Sequence, residues 1–163
     1  MIIYLFGSTT LSGQAFISEY KKNFSDIDLI SFSRTNKEKE ILNFDTAENF
    51  TPDIKDNYLI VSFAPIWKLA DFLNRIFLNK PDQLKGLNGI LACSSSSIYT
   101  KKFAANKFDQ YLYLRLYKSE RILSRVTEEY NAPLCILEPT MIYGNIERYK
   151  DKNVNLLSSY LKN

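Results

Sequence analysis

Gly7, Thr10 and Gly13 stand three residues apart between two segments of different character. Before them, Ile2–Phe6 is an apolar run bounded by glycine, the pattern of a strand buried in a parallel sheet. After them, Gln14–Phe24 places Phe16, Ile17 and Tyr20 at helical spacing. Strand, tight turn, helix is the context in which free backbone N–H groups hold a dinucleotide pyrophosphate at a helix N-terminus. The same order also describes a plain strand–turn–helix that binds nothing. Two more side chains could read a nucleotide. Arg34 follows the second apolar run, where an arginine accommodates a 2′-phosphate; this favours NADP, with NAD as the second choice. It could equally be an ordinary surface arginine. Asp45 follows the third run and could accept a bond from an adenine amino group, or cap a short helix over Thr46–Phe50. The chain has no histidine, which excludes Ser-His-Asp and Cys-His catalysis and any His-ligated metal site.

Positioning these residues takes a sheet. Asp26–Ser33 reads as a second strand, Ile41–Phe44 as a short third, and Asn57–Phe63 as a fourth that ends in an Ala64-Pro65 turn. Ile66–Asn79 carries Leu69, Phe72, Leu73, Ile76 and Phe77 as a helical stripe, and Pro81 closes that region. Leu87–Cys93 is a fifth strand running into Ser94–Ser97, which read as a strand end and not as a spacer. A long helix follows over Phe108–Glu129, with Leu112, Leu116, Leu123 and Val126 as its buried stripe. Ala132–Glu138 is the sixth strand. Pro139–Gly144, a polar loop over Asn145–Asn153 and a last helix over Val154–Leu161 complete the chain. Strands alternating with helices predict an α/β fold, a doubly wound parallel sheet of about six strands between two helical layers. Ligands of such sheets sit at the carboxyl ends of the strands. Gly7–Gly13, Arg34, Asp45, Ala64-Pro65, Ser94–Ser97 and Pro139–Gly144 all fall there.

Taken in order, FGSTTLSG, CSSSSIY, YKSERIL and LEPTMIYG resemble the extended short-chain dehydrogenase/reductase superfamily. Within it they are similar to the NAD-dependent epimerase/dehydratase branch that acts on nucleotide sugars. The resemblance covers essentially the whole chain and implies a Rossmann-type, three-layer domain. Its glycine turn is G-x-x-G-x-x-G, with Thr10 here in the middle position. It implies cofactor contacts at Gly7, Thr9, Thr10, Leu11, Gly13, Arg34, Asp45, Ala64, Pro65, Lys118 and Pro139, and catalytic roles for Ser95 and Lys118. The family's chemistry uses a serine with a Y-x-x-x-K pair on one helix. Residues four apart share a helix face, so the ammonium lies over the phenol and stabilises phenolate. Counted back from Tyr99, the serine falls on Ser95; the lysine falls on Lys118, two before Glu120. Four before Lys118 stands Leu114, which cannot move a proton. Tyr113, Tyr117, Tyr99 and Tyr143 are the neighbouring tyrosines, and structural roles are expected for all four. Glu138 replaces the arginine usual in LEPTMIYG.

At 163 residues the chain is expected to be one domain, residues 1–163, ending where extended members begin a C-terminal substrate lobe. A net charge of +3, with no basic stretch bearing stacking aromatics, argues against nucleic acid. With no signal peptide and no long apolar span, no membrane association and a cytoplasmic location are expected. Cys93 and Cys135 read as buried, reduced thiols at no metal spacing. The partner implied by the resemblance is a small-molecule nucleotide sugar, and apolar surface near Tyr143 and Leu156 would favour a homodimer. Two functions remain open: an NAD(P)-dependent epimerase or dehydratase with altered catalysis, or a catalytically silent NADP-binding module or fragment acting through a partner.

Overall fold

The computed structural model describes residues 1–24, 27–33, 41–43, 50–52 and 57–140. Six strands form one sheet: β1 (Ile2–Phe6), β2 (Asp28–Ser33), β3 (Ile41–Asn43), β4 (Tyr58–Ser62), β5 (Leu87–Cys93) and β6 (Leu134–Leu137). Their spatial order is β3-β2-β1-β4-β5-β6, and every neighbouring pair is parallel. That is the order of a doubly wound dinucleotide fold, in which the order of strand addition reverses between β1 and β4. The helices are α1 (Leu11–Asn23), α2 (Ile66–Asn79), a short α3 (Ser97–Thr100) and α4 (Lys107–Glu129).

Alternation along the strands divides the core in two. Tyr4, Phe6, Phe32, Tyr58 and Ile60 face α2 and α4, meeting Leu69, Phe72, Leu73 and Ile76 of α2 and Leu116, Leu123 and Val126 of α4. Ile3, Leu5 and Val61 face the other way, onto Phe16, Ile17 and Tyr20 of α1. The first layer is rich in aromatic rings: Phe6 stacks on Phe32 at 4.7 Å, and Phe50 sits edge-on to Tyr4, Tyr58 and Phe72. Each fully buried ring or branched side chain contributes about 1.5–3 kcal/mol. Tyr58 keeps its hydroxyl satisfied by donating to the Gln83 carbonyl at 2.7 Å.

α2 and β5 have the bounds expected from sequence, and α4 begins one residue earlier, behind Asn106 as N-cap. α1 differs more. It begins at Leu11 and not at Gln14, because Thr10 Oγ1 accepts the Gly13 N–H at 3.1 Å and so starts the helix inside the glycine turn. Pro81 opens a 3₁₀ turn, Pro81–Leu84, where a simple stop was expected. Cys135 is exposed and Cys93 half-buried, which corrects the reading of both as buried thiols. Both stand at the β5–β6 end of the sheet, two register positions apart (Leu91 with Cys135, Cys93 with Leu137). The third strand ends at Asn43; the expected helix over Thr46–Phe50, all but Phe50 itself, and everything from residue 141 onward, Tyr143 and the helix over Val154–Leu161 included, lie outside the described residues. Among the described residues, no helix is long and apolar enough to cross a membrane.

Candidate functional site

The turn after β1 is held by its own backbone. Gly7 has φ +76°, and a Cβ there would lie 2.5 Å from the Ala64 nitrogen. A Cβ on Gly13 would lie 2.3 Å from the Gly7 carbonyl oxygen, so α1 packs against the turn at glycine distance. Gly7 and Ser8 donate their N–H groups to the Phe32 carbonyl at 3.1 and 3.3 Å, and the Ser8 hydroxyl donates to it as well. Thr9 Oγ1 lies 3.0 Å from Ser33 Oγ, which ties the turn to the end of β2. Thr10 is the organising side chain. Its hydroxyl donates to the Gly7 carbonyl at 2.8 Å while accepting from Gly13, so a residue in the middle-glycine position acts as the helix cap. The N–H groups of Leu11 and Ser12, in the first turn of α1, have no intrahelical acceptor, and among the described residues no other acceptor is seen for them.

Beside this turn, at the β1–β4 switch point, lies a crevice of about 470 Å³. Its near wall is Thr10, Leu11 and Ser12. Its floor is Phe63, Ala64 and Pro65, and its far wall is Trp67, Cys93, Ser94, Ser95 and Leu116. The volume lies in the range of small-molecule sites. The donor set fits a dinucleotide: free N–H groups at a helix N-terminus, a closely packed glycine turn, and a mostly apolar trough beyond it. The outer wall is braced by Arg115, whose guanidinium lies 4.3 Å from the centre of the Trp67 ring.

The expected site residues divide into two groups. Gly7, Thr9, Thr10, Leu11, Gly13, Ala64, Pro65 and Ser95 converge on this turn and crevice. Lys118 does not, which corrects its place at the reacting centre. It is exposed and lines a separate surface depression with Arg121, Ile122 and Arg125. The cause is helical phase: Leu116 faces the crevice, and a residue two positions on is rotated by about 200°. Pro139 is half-buried at the end of β6, its carbonyl accepting the Ser96 N–H, and is not among the crevice-lining residues. Arg34 and Asp45 lie outside the described residues. Leu114 is 58% exposed. Tyr113 stacks on Tyr117, and Tyr99 hydrogen-bonds Glu138. Among the described residues, no tyrosine and no lysine lines the crevice.

Ser95 is engaged within its own loop, its hydroxyl donating to Ser97 Oγ at 3.0 Å and accepting the Ser97 N–H at 3.2 Å. Ser94 instead donates to Glu120 Oε1 at 2.5 Å. Partial burial holds the Glu120 carboxyl above the usual range, the Glu138 charge adds to this, and the Ser94 bond opposes it. Burial also pushes the Cys93 thiol up, so it is a poor thiolate. The hydrogen bond from Tyr99 to Glu138 raises the Tyr99 pKa, the wrong direction for a proton acceptor. Among the described residues, no group of three or more His, Cys, Asp or Glu could hold a metal ion.

The same architecture occurs in solved structures. UDP-glucuronic acid 4-epimerase from Bacillus cereus, in complex with NAD, superposes with a TM-score of 0.64 at 13% identity, over 99% of this chain and 63% of that one. A short-chain dehydrogenase/reductase superfamily protein from Agrobacterium tumefaciens with bound NAD gives 0.60 at 10% identity, over 85% of this chain and 48% of that one. dTDP-glucose 4,6-dehydratase from Bacillus anthracis, in complex with NAD, gives 0.58 at 12% identity, over 99% and 61%. The chain has the fold of the short-chain dehydrogenases/reductases. It spans about three fifths or less of the length of these three structures. No protein-family model and no curated protein matches the sequence.

Within this fold, sequence reasoning missed Trp67, Leu116 and Glu120 as site residues, and placed Ser94 there only as part of the Ser94–Ser97 strand end. The signal for Leu116 and Glu120 was present: four apart on α4, they share the face carrying Leu123. Ser94 could not be told from Ser95 without knowing which side of the strand end each occupies.

Proposed function

We propose that the chain binds a nicotinamide dinucleotide across the Gly7–Gly13 turn and serves a nucleotide-sugar epimerase- or dehydratase-like function with altered catalysis. The observation that carries this is the convergence of the glycine turn, the capped start of α1 and the crevice at the β1–β4 switch point. The pyrophosphate is taken by the N–H groups of Leu11 and Ser12, with the positive end of α1 behind them. Thr9 and Thr10 hold the turn in shape. Ala64 and Pro65 form the floor, and Trp67 shields the trough from water. Arg34 reads the 2′-phosphate of NADP and Asp45 the adenine. When bound, the cofactor supplies a hydride acceptor or donor at the reactive end of the crevice. A nucleotide sugar is the substrate class, and Ser95 its first hydroxyl contact.

A second reading is a silent dinucleotide-binding module. It is favoured by Leu116 standing on the crevice wall while Lys118 points elsewhere. Titrating NADH and NADPH separates the readings. Thermal stabilisation by either, together with conversion of UDP-glucuronic acid or dTDP-glucose to a new sugar nucleotide seen by NMR or chromatography, supports the enzyme. Stabilisation with no product from any nucleotide sugar tried supports the module. No stabilisation refutes both.

A further inference from the structure

Ser94 occupies an unusual position. It lines the crevice, yet its proton is committed to a carboxylate on α4. Among the described residues, no lysine, arginine, tyrosine, aspartate or glutamate lines the crevice itself. Glu120 is the one carboxylate among the described residues that hydrogen-bonds a crevice-lining side chain. It stands one helical turn beyond Leu116 and so looks along the same face of α4.

We propose that Glu120, acting through Ser94, sets the hydrogen-bond polarity of the crevice's reactive end: ionised, it makes Ser94 an acceptor for a ligand hydroxyl; protonated, it frees Ser94 to donate to a ligand carbonyl. The proposal rests on the dinucleotide reading above and makes Glu120 a positioning residue. The argument is a count of donors. An ionised carboxylate only accepts, so Ser94 must spend its single proton on Glu120 and can offer a ligand nothing but lone pairs. A bond of this kind, hydroxyl to carboxylate, is among the stronger ones. A ligand alcohol that loses its proton passes it to Ser94 Oγ as the Ser94 proton moves to Glu120 Oε1. One O–H bond breaks on the ligand, one forms on Glu120, and Ser94 ends unchanged. The pair would switch the crevice between hydroxyl and carbonyl recognition with no tyrosine or lysine among the described residues that line it.

The groups facing Glu120 are Ser94 from the end of β5, Glu138 from the end of β6 and Tyr99 from α3. Glu138 opposes ionisation of Glu120 and Ser94 favours it, which gives the couple two handles of opposite sign.

The test is a ¹³C-carboxyl NMR titration of Glu120 in the full chain, as wild type, Ser94→Ala, Ser94→Thr and Glu138→Gln, each with and without NADH. Wild type is expected to titrate above an ordinary glutamate, Ser94→Ala higher still, and Glu138→Gln lower. Ser94→Thr keeps a hydroxyl and is expected to return the wild-type midpoint. NADH at saturation, judged by melting temperature, is expected to move the wild-type midpoint further up by displacing water from the crevice. A Glu120 midpoint indifferent to Ser94→Ala overturns the couple. A midpoint that responds to Ser94→Ala but not to bound NADH reduces it to a structural tie between β5 and α4 and overturns the proposal. Failure of NADH to bind at all, with the Ser94→Ala shift intact, overturns the dinucleotide reading and with it any ligand for the couple. If Ser94→Ala does not fold, the wild-type NADH response and Glu138→Gln still decide.

Discussion

The two walls of the crevice have diverged from the expected pattern to different degrees. On the β1–α1 wall one glycine has become Thr10, and the geometry survives: the hydroxyl of the new residue caps the helix that the turn exists to start. On the β5–α4 wall Leu116 faces the crevice and Leu114 faces solvent, and neither side chain offers a titratable atom. The contrast follows from what each wall must supply. Anion binding at a helix N-terminus uses backbone N–H groups, so it tolerates any side chain that leaves the backbone in place. Proton transfer needs a titratable atom at one position, and no change of backbone replaces it. A fold can therefore keep its nucleotide grip while its reaction drifts.

Gly13→Ala is the largest expected effect and would break the comparison if it failed. Its Cβ would fall 2.3 Å from the Gly7 carbonyl oxygen, a backbone atom that cannot step aside without moving α1. A destabilisation of roughly 1–3 kcal/mol is expected, with loss of any NADH-dependent melting shift. Unchanged stability and binding would mean that close packing of α1 on the turn is not what forms the site. Arg34→Ala is next: NADPH affinity should fall about tenfold, or roughly 1.4 kcal/mol, with NADH nearly unaffected. Equal loss of both in competition binding refutes the 2′-phosphate role.

Thr10 sharpens the same contrast. Thr10→Ala removes a cap and should lower stability by about 1 kcal/mol in thermal unfolding. Thr10→Gly should cost only a few tenths of a kcal/mol and leave nucleotide binding equal or tighter. If Thr10→Gly abolished binding, the hydroxyl would be a ligand contact and not a cap. The smallest expected effect is Leu114→Tyr. Restoring the expected tyrosine on a solvent-facing position should change stability by less than about 0.5 kcal/mol and produce no turnover with a nucleotide sugar. A gain of turnover would show that α4 presents the face of Leu114, and not that of Leu116, to the reaction.

The sheet was legible because its strands are short apolar runs between glycine, proline and polar turns, and α2 because Leu69, Phe72, Leu73 and Ile76 repeat at one period. The start of α1 was not, because capping by Thr10 depends on a side-chain rotamer and not on periodicity. The first wall of the site was equally readable, since Gly7 and Gly13 each answer to a steric demand that leaves glycine in the sequence. The second wall was misread at Lys118. Matching it by its distance from Glu120 ignored the helical phase set by the buried Leu116, Leu123 and Val126. Once that stripe is taken as facing inward, Lys118 must face out. The exposure of Cys135 was hidden for a related reason: an apolar strand at one end of a sheet reads like a central one until its neighbours are counted.

Thermal unfolding of the full chain against NADH and NADPH tests the central claim most directly. Binding at the Gly7–Gly13 turn predicts a melting temperature that climbs with concentration, a stabilisation of about 2.7 kcal/mol once free ligand reaches a hundred times its Kd. A melting temperature that stays flat for both nucleotides at millimolar concentration would contradict it.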